Sequence, residues 1–346
     1  MATAEELAQR RLDGDRRVVV ITDTELPGAD RQLQTLRGAG LDPRLGNCRT
    51  AAEVAAAAQG AAAIVVQWAP VTAEVLESLT ELRFVGRMGI GYDMIDVEAA
   101  TRLGVAVANT PDYCLEEVAA HTLALALSLA RGLRPRDQSV REGRWSVREP
   151  DAPAVRPSAT EVAVIGFGRI GSRVAAACRA IGFRVMVCDP YVDAANVESA
   201  GYEPVSLDDA LQRADILTLH VPLTSTTSCL IDGAAIDRLK PGCLLVNTCR
   251  GALIDEPALI DALRDGHLGG AGLDVFADEP LPESSPLREM ANVVLTPHAA
   301  WYSPEAEAEL PDRTVAQVVE FLSGRPVPTI VNPQYATGRR AGTISP

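Results

Sequence analysis

The sequence predicts an α/β protein with two doubly wound parallel-sheet domains, and three observations predict this fold class. Short apolar runs alternate with helix-compatible segments along most of the chain. Such alternation is typical of parallel sheets that helices cover on both faces. With 346 residues, 47% of them hydrophobic, the chain is long enough to bury two cores. A glycine-rich turn marks the second half alone, so we expect two separate α/β units.

The first half contains a regular series of predicted elements. Strands are predicted at residues 18–22, 43–46, 63–67, 84–87 and 105–108. Helices are predicted at residues 29–39, 50–59, 72–78 and 97–103, and a long apolar helix follows at 115–130. Residues 87–91 form a Gly-containing loop just past the carboxyl end of a strand, where open parallel sheets bind ligands. This loop is therefore either a small-anion site beside Arg87 or a plain surface turn.

The residues that follow are predicted to be less regular. Residues 131–160 carry many charges and several prolines, so we expect an extended arm that reaches a partner subunit or the other domain. Residues 1–15 are expected to be a solvated lead-in, and residues 337–346 a disordered tail.

The second half begins with the stretch EVAVIGFGRIG at residues 161–171, in which an apolar strand meets a glycine-rich turn. Gly166 permits the turn, Gly168 lets the backbone approach a pyrophosphate, and Gly171 lets a helix pack against the strand. A second predicted strand at 183–188 ends in Asp189, close to the ~20-residue spacing of a carboxylate that binds the adenosine ribose. The next two residues are Pro190 and Tyr191, and neither is the basic side chain that would neutralise a 2′-phosphate. The pattern predicts a Rossmann domain that binds NAD rather than NADP.

Further strands are predicted at residues 216–219, 244–247, 272–275 and 293–296. Ser206 and Asp255 are suitable N-caps for the helices at 207–213 and 256–265. Chemically active residues follow the last three strands in order: Arg250, then Glu279, then His298.

These three residues form a complete set for reducing a 2-oxo acid with hydride from NADH. Arg250 can bind a carboxylate with two parallel hydrogen bonds. His298 can exchange a proton with the carbonyl oxygen near neutral pH, and Glu279 would orient the imidazole and favour its protonated form. Each residue alone also fits an ordinary surface role, but all three at successive strand ends favour a site.

Composition excludes several classes of protein. The formal net charge of −14 and a pI near 4.8 argue against binding to nucleic acid or to an anionic membrane. The 7 cysteines include no C-x-x-C pair, which predicts reduced thiols and no metal site. The sequence contains no signal peptide and no apolar run of membrane-spanning length, so a cytoplasmic protein is expected.

Between about residues 60 and 333 the chain resembles the D-isomer-specific 2-hydroxyacid dehydrogenase family. The resemblance rests on the motifs IGFGRIG, LHVPLT, LVNTCRGALID, GLDVFADEP and TPHAAWYS. Within the family, the last motif is most similar to the C-terminal-binding-protein-like subgroup. The resemblance implies a flavodoxin-like substrate domain at residues 1–108 and 301–346, into which a Rossmann domain is inserted at 109–300. It also implies a homodimer formed through the cofactor domain, with the arm at 131–160 as a contributor.

The family's site residues can be assigned to matching positions of this sequence. The resemblance implies catalytic roles for Arg250, Glu279 and His298. Implied cofactor contacts are Gly166, Gly168, Arg169, Ile170, Gly171, Asp189, Val221, Pro222, Thr248, Arg250, Asp274 and His298. Implied substrate contacts are Arg87, Met88, Gly89, Ile90, Gly91 and Trp301.

Two alternatives stay open from the sequence. The corepressor resemblance permits a protein that senses NADH and recruits partners with little turnover. The same chemistry could also act on a phosphonate-type, phosphorylated or other specialised acid, which would need further cationic groups.

Overall fold

The computed structural model describes residues 17–148 and 154–340. The strands are β1 (Val18–Ile21), β2 (Asp42–Leu45), β3 (Ala61–Val66), β4 (Phe84–Arg87), β5 (Ala106–Ala108), β6 (Glu161–Ile165), β7 (Arg184–Cys188), β8 (Glu203–Pro204), β9 (Ile216–Leu219), β10 (Cys243–Asn247), β11 (Leu268–Leu273) and β12 (Val293–Leu295). The helices are α1 (Ala29–Gly38), α2 (Ala51–Ala57), α3 (Ala73–Ser78), α4 (Val97–Leu103), α5 (Leu115–Ala130), α6 (Leu133–Arg141), α7 (Arg169–Ile181), α8 (Ala194–Ser199), α9 (Leu207–Arg213), α10 (Gly233–Arg238), α11 (Glu256–Arg264) and α12 (Pro304–Leu322).

The described part of the chain divides into two compact units. Unit 1 combines Met1–Tyr113 with Ser303–Pro346, and unit 2 is Cys114–Tyr302. The described chain therefore passes from unit 1 into unit 2 and then returns to unit 1.

Unit 1 is built on a parallel sheet with the strand order β2-β1-β3-β4-β5. This order is the flavodoxin-like variant of the doubly wound fold. The last helix, α12, closes one face, and its residue Thr314 shares a hydrogen bond of 3.0 Å with Thr110. Asn332 then accepts a bond from Val107 N and donates one to Val105 O, which fixes the returning chain beside β5.

Unit 2 is built on a longer parallel sheet with the strand order β12-β11-β10-β9-β6-β7-β8. Reading outward from β6, the order reverses between β6 and β9. Such a switch point is where open α/β sheets bind ligands, beyond the carboxyl ends of the strands. One face is covered by the helices around α9, α10 and α11, and the other by α5 and α7.

The predicted fold class, two doubly wound parallel-sheet α/β units, is confirmed. Several elements have the predicted bounds, among them β4, α4, α5 and β9. The two predicted N-caps are also confirmed, because the side chains of Ser206 and Asp255 accept bonds from Asp209 N and Ala258 N.

The prediction for β11 was wrong by several residues. The strand runs from Leu268 to Leu273, not over 272–275. Its first half contains Gly269 and Gly270, residues that usually weaken a strand. Here a Cβ at Gly269 would lie 2.5 Å from Gly242 O, and one at Gly270 would lie 2.6 Å from Asn292 O. Glycine is therefore required by close packing, and Asp274 follows the strand end directly.

Two predictions about irregular segments need correction. The arm at 131–160 is not extended throughout, because residues 133–141 form helix α6. Pro135 is compatible with that helix because it lies in the first turn, where backbone N–H groups lack helical partners. The tail is not disordered over 337–340, since Arg340 donates to Leu76 O and Leu79 O. The predicted lead-in, residues 149–153 of the arm and residues 341–346 lie outside the described residues.

Candidate active site

The glycine-rich turn joins β6 to α7, and two of its glycines are required by the chain itself. Gly166 has φ +96°, and a Cβ there would lie 2.5 Å from His220 O. A Cβ at Gly171 would overlap with Gly166 O. These two positions bring β6, α7 and the loop after β9 together more closely than any side chain permits.

Gly168 differs, because nothing in the protein requires a glycine there. Its φ is −75°, and a Cβ would meet no atom within 4 Å. The residue is the N-cap of the 13-residue helix α7, and no side chain caps that helix end. The turn thus leaves open space in front of a helix N-terminus, which favours an anion. This arrangement fits the pyrophosphate of NAD, which the backbone of Gly168, Arg169 and Ile170 would hold.

Asp189 follows β7 at the same edge of the sheet. One carboxylate oxygen accepts a bond of 2.7 Å from Phe167 N within the glycine turn, and the other accepts one of 2.9 Å from Tyr191 N. The carboxylate is thus oriented by the backbone on both sides of it. This fits the predicted contact with the adenosine ribose.

Arg250 is presented by a tight turn after β10. Asn247, which is fully buried, donates to Arg250 O at 2.8 Å and accepts from Cys249 N at 3.0 Å. The next residue is Gly251, where a Cβ would overlap with the backbone of Phe276. The Arg250 turn therefore lies directly against the loop that follows β11.

A second anchor is Asp274, the residue directly after β11, which is fully buried. Its carboxylate accepts bonds from Thr296 Oγ1 at 2.6 Å, Ala299 N at 2.8 Å and Ala300 N at 2.9 Å. Its backbone oxygen accepts His298 N at 2.8 Å. One aspartate thus fixes the backbone on both sides of His298.

His298 itself has a left-handed backbone conformation with φ 52°. For a residue with a side chain this conformation costs about 1 to 2 kcal/mol, so the surrounding bonds must enforce it. The ring is held from the other side, where Nδ1 lies 2.7 Å from Oε2 of Glu279. Because a carboxylate accepts, Nδ1 of His298 carries the proton of this bond.

Glu279 is half-buried and itself well held, with Oε1 accepting from Phe276 N at 3.0 Å. Burial opposes the ionisation of the Glu279 carboxyl and is the largest single influence on its pKa. The hydrogen bond and charge of His298, the Phe276 N–H and the Arg250 charge together outweigh burial and lower the pKa of Glu279. The carboxyl is therefore ionised at neutral pH, and Arg250 is close enough to contribute.

The structure thus brings Arg250, Glu279 and His298 together at the carboxyl edge of one sheet. Thr248 is held by Thr122, whose Oγ1 lies 2.9 Å from Thr248 Oγ1. The predicted cofactor residues Val221 and Pro222 follow β9, and a Cβ at Gly166 would lie 3.0 Å from a Val221 methyl group.

The predicted substrate loop lies in unit 1, at the carboxyl end of β4. Arg87 is buried, and its guanidinium carbon lies 5.4 Å from the ring centre of Trp68. Gly89 has φ +143°, and a Cβ there would overlap with the Arg87 guanidinium. Met88 is buried, and the backbone oxygen of Ile90 accepts a bond from Asn109. Trp301 lies in unit 2, edge-on to Tyr302 with ring centres 5.7 Å apart.

Sequence reasoning missed two buried anchors. Asp23 follows β1, and its carboxylate accepts from Gln67 N, Trp68 N and Ala69 N. Asn247 ends β10 and forms the Arg250 turn described above. Asn247 is the last residue of an apolar strand and Asp23 lies two positions past one, and this placement of a polar residue was the available signal.

Two kinds of feature are absent from the described residues. Within 17–148 and 154–340, no helix is both long and apolar enough to cross a membrane. In the same residues, no group of three or more His, Cys, Asp or Glu side chains could hold a metal ion.

The contrast between Gly168 and Gly171 yields a prediction. We expect Gly168→Ala to fold with the wild-type melting temperature but to bind NADH at least ~10-fold more weakly, because a methyl group would occupy the phosphate position. Gly171→Ala should instead lose stability, because its Cβ meets backbone. Thermal melts and NADH fluorescence titrations measure both. Wild-type NADH affinity in Gly168→Ala would contradict the assigned cradle.

The sequence of this chain is similar to those of known proteins. A family model described as "D-isomer specific 2-hydroxyacid dehydrogenase, NAD binding domain" matches residues 123–300. D-3-phosphoglycerate dehydrogenase from Mycobacterium bovis is 42% identical over 279 residues, covering 81% of this chain and 52% of that protein. The chain thus spans about half the length of these curated relatives. Glyoxylate reductase from Korarchaeum cryptofilum is 37% identical over 275 residues, covering 79% of this chain and 83% of that protein.

A solved structure extends the similarity to the whole fold. D-lactate dehydrogenase from Aquifex aeolicus, complexed with NAD and lactic acid, has a TM-score of 0.81 and 28% sequence identity, over 95% of this chain and 99% of that one. The predicted cofactor, NAD, is confirmed by the family model and by such neighbours. The protein belongs to the D-isomer specific 2-hydroxyacid dehydrogenase family.

Proposed function

We propose that the protein is an NAD-dependent oxidoreductase that works mainly as a 2-oxo acid reductase. The observation that carries the proposal is the 2.7 Å bond between His298 Nδ1 and Glu279, beside Arg250. The net reaction converts a 2-oxo acid, NADH and one proton into a D-2-hydroxy acid and NAD⁺. Bound NADH would supply the hydride to the carbonyl carbon.

The chain's own residues supply the proton and the charge. With Nδ1 bonded to Glu279, His298 presents Nε2, which donates the proton to the carbonyl oxygen as charge develops there. Arg250 binds the substrate carboxylate and stabilises the developing oxyanion. Asp274 and Glu279 hold the imidazole in place beforehand, so little reorganisation is needed during the reaction.

Among the four histidines, His298 is the one suited to this role. Burial lowers the pKa of His220 to about 3, so its ring stays neutral throughout the physiological range. The His267 ring bonds to Ile236 O, and the His267 backbone oxygen accepts a bond from Gly242 N. Gly242 and His267 directly precede strands, so His267 lies at the amino ends of the strands, away from the carboxyl ends that carry the site. His121 lies within α5 and bonds to Thr296.

Asp189 supports NAD as the preferred cofactor over NADP. Its carboxylate is fixed by Phe167 N and Tyr191 N, so it cannot readily move away from a 2′-phosphate. Pro190 and Tyr191 follow it, and neither supplies a compensating positive charge. We therefore expect the 2′-phosphate of NADPH to be repelled.

The substrate is proposed to be a small 2-oxo acid with an uncharged side chain. The loop at 87–91 is proposed to bind its carboxylate, and Trp301 to contact its side chain. Trp68 presents a half-exposed indole beside Arg87, a surface suited to apolar groups. The relatives named D-3-phosphoglycerate dehydrogenase make a phosphorylated acid the main competing substrate, so it belongs in any test.

We expect His298→Ala to lower turnover by ~10² to 10⁴-fold, the usual contribution of a general acid, while NADH affinity stays near wild type. The assay is NADH oxidation across 2-oxo acids from glyoxylate to phenylpyruvate and 3-phosphohydroxypyruvate, with NADPH in parallel. His267→Ala is the matched control and should retain full turnover. Unchanged turnover in His298→Ala would rule out the proposed acid. Absent turnover in the wild type despite NADH binding would favour a sensing role.

The lowered pKa of Glu279 leads to a pH prediction. Because the folded pKa lies below the ordinary 4.5, the ionised carboxylate stabilises the fold fully above pH 4.5 and progressively less as pH falls below it. Glu279→Gln should therefore be less stable than the wild type at pH 7, with the difference shrinking toward pH 3. Urea denaturation across pH measures this, with exposed Glu283→Gln as control. A constant difference would contradict the assignment.

We also propose a homodimer formed through unit 2. In the described part of the arm, four large apolar side chains are solvent-exposed in the single chain: Leu133 (55%), Val140 (54%), Trp145 (91%) and Val147 (84%). Such a concentration of exposed apolar groups is typical of an interaction surface. A second copy is the occupant that the family resemblance implies.

The free cysteines fit a reducing compartment such as the cytoplasm.

The double variant Trp145→Ser, Val147→Ser should dissociate at concentrations where the wild type is dimeric, because it removes the two most exposed large apolar side chains among the described residues of the arm. Analytical ultracentrifugation measures the shift, and Leu45→Ser, an exposed leucine of unit 1, serves as control. A monomeric wild type would refute the dimer. A variant that dimerises like the wild type would place the interface elsewhere.

A further inference from the structure

Two consecutive residues of helix α5 reach the loops that follow different strands of unit 2. His121 Nε2 lies 2.9 Å from Thr296 Oγ1 and 3.7 Å from Asp274 Oδ1. Thr122 Oγ1 lies 2.9 Å from Thr248 Oγ1. Thr248 belongs to the turn that presents Arg250, and Thr296 to the loop that presents His298. One helix turn therefore contacts both parts of the proposed active site.

The hydrogen-bond chain from His121 has a defined direction. The Thr296 hydroxyl donates to Asp274 Oδ1 at 2.6 Å, and the same oxygen also accepts from Ala299 N. Having used its single proton, Thr296 must accept from His121. Nε2 of His121 therefore carries a proton, and the chain runs from His121 through Thr296 to Asp274.

Direction can be assigned in the same way to the second contact. Thr122 Oγ1 donates to Val118 O at 2.7 Å, a bond within the helix. It must then accept from Thr248, whose hydroxyl is thereby turned toward α5. Thr248 keeps its acceptor capacity for a ligand. Both threonines are buried, so these bonds have little competition from water.

Helix α5 does not depend on His121 for its position. Its apolar side chains, among them Leu125 and Leu129, belong to the buried cluster under the sheet. The side chain of His121 is 25% exposed, whereas that of Asp274 is 1% exposed. Loss of the imidazole should therefore leave the helix packed and disturb mainly the Thr296–Asp274 pair.

From these contacts we infer that His121 and Thr122 are positioning residues of the active site, an inference that rests on the proposed reductase function. His121 acts through Thr296 on Asp274, and so on the loop that holds His298. Thr122 acts through Thr248 on the turn that holds Arg250. Helix α5 sets the distance between the proton donor and the carboxylate-binding arginine.

The first test is kinetic. His121→Ala and Thr296→Val should each lower kcat for 2-oxo acid reduction about 10- to 100-fold, the scale expected for a misplaced catalytic group, with NADH affinity near wild type. His121→Ala should keep the wild-type melting temperature, whereas Thr296→Val should also lower it, because it removes a hydrogen bond from the buried Asp274 carboxylate. His121→Gln, which retains an N–H donor, should restore most of the loss. The double variant, His121→Ala with Thr296→Val, should lose no more activity than the less active of the two single variants, because both changes break the same hydrogen-bond chain.

His267→Ala is the matched control. Its ring makes the same kind of single bond, to Ile236 O at 2.9 Å, but lies away from the strand ends that carry the site. It should leave kcat unchanged. Full activity in His121→Ala, or losses that simply multiply in the double variant, would overturn the inference.

A second readout does not need turnover, so it separates this inference from the proposed function. With four histidines in the chain, ¹⁵N-histidine spectra can be assigned by single substitutions. We expect a protonated Nε2 on His121 in the wild type. His121→Ala and Thr296→Val should shift the His298 resonances, and His267→Ala should not. An Nδ1–H tautomer at His121, or an unshifted His298, would overturn the positioning role even in an active enzyme. Expected shifts without turnover would instead refute the reductase.

Discussion

A fully buried carboxylate, that of Asp274, is the interaction on which the site depends. A buried charge is costly unless hydrogen bonds satisfy it, and Asp274 obtains those bonds from Thr296, Ala299 N and Ala300 N. The same bonds hold the backbone at His298 in its left-handed conformation, with φ 52°, which would otherwise be unfavourable. The hydrogen bonds that satisfy the Asp274 carboxylate thus also orient His298, the proposed proton donor.

The parallel sheet of unit 2 explains why these groups meet at all. The carboxyl ends of β10, β11 and β12 lie side by side, so the residues that follow them are neighbours in space despite their separation in sequence. Glycine then allows the close approach that side chains would prevent. Gly251 lets the Arg250 turn pack against Phe276 in the loop that follows β11, and Gly171 lets α7 pack against the glycine-rich turn.

The sequence was sufficient for much of this arrangement. Apolar runs such as 84–87 and 216–219 are strands with the predicted bounds, since their periodicity and length are local signals. The glycine turn, Asp189 and the order of Arg250, Glu279 and His298 were also readable, because the fold places strand ends together. For β11 local propensity was misleading. Its glycines are required because the backbones of Gly242 and Asn292, which are distant in sequence, pack too closely against the strand for a Cβ.

Other features could not be read from the sequence because they depend on partners far along the chain. His121 is 175 positions from Thr296, and only the packing of α5 on the sheet brings them together. Asp23 was recognisable as a polar residue just past a strand, but the backbone N–H groups that it accepts from lie 44 to 46 positions away. The helix at 133–141 was obscured by its charges and by Pro135, which the first helical turn tolerates.

The measurement that tests this account most directly is a crystal structure of Asp274→Asn beside that of the wild type. Asparagine keeps the shape but replaces one acceptor oxygen with an N–H₂ donor, so Ala299 N and Ala300 N cannot both be satisfied. We predict that residues 296–300 shift, and that Nδ1 of His298 lies farther from Glu279 than the 2.7 Å of the wild type. A loop that keeps its conformation and this hydrogen bond would contradict the claim that Asp274 holds the site.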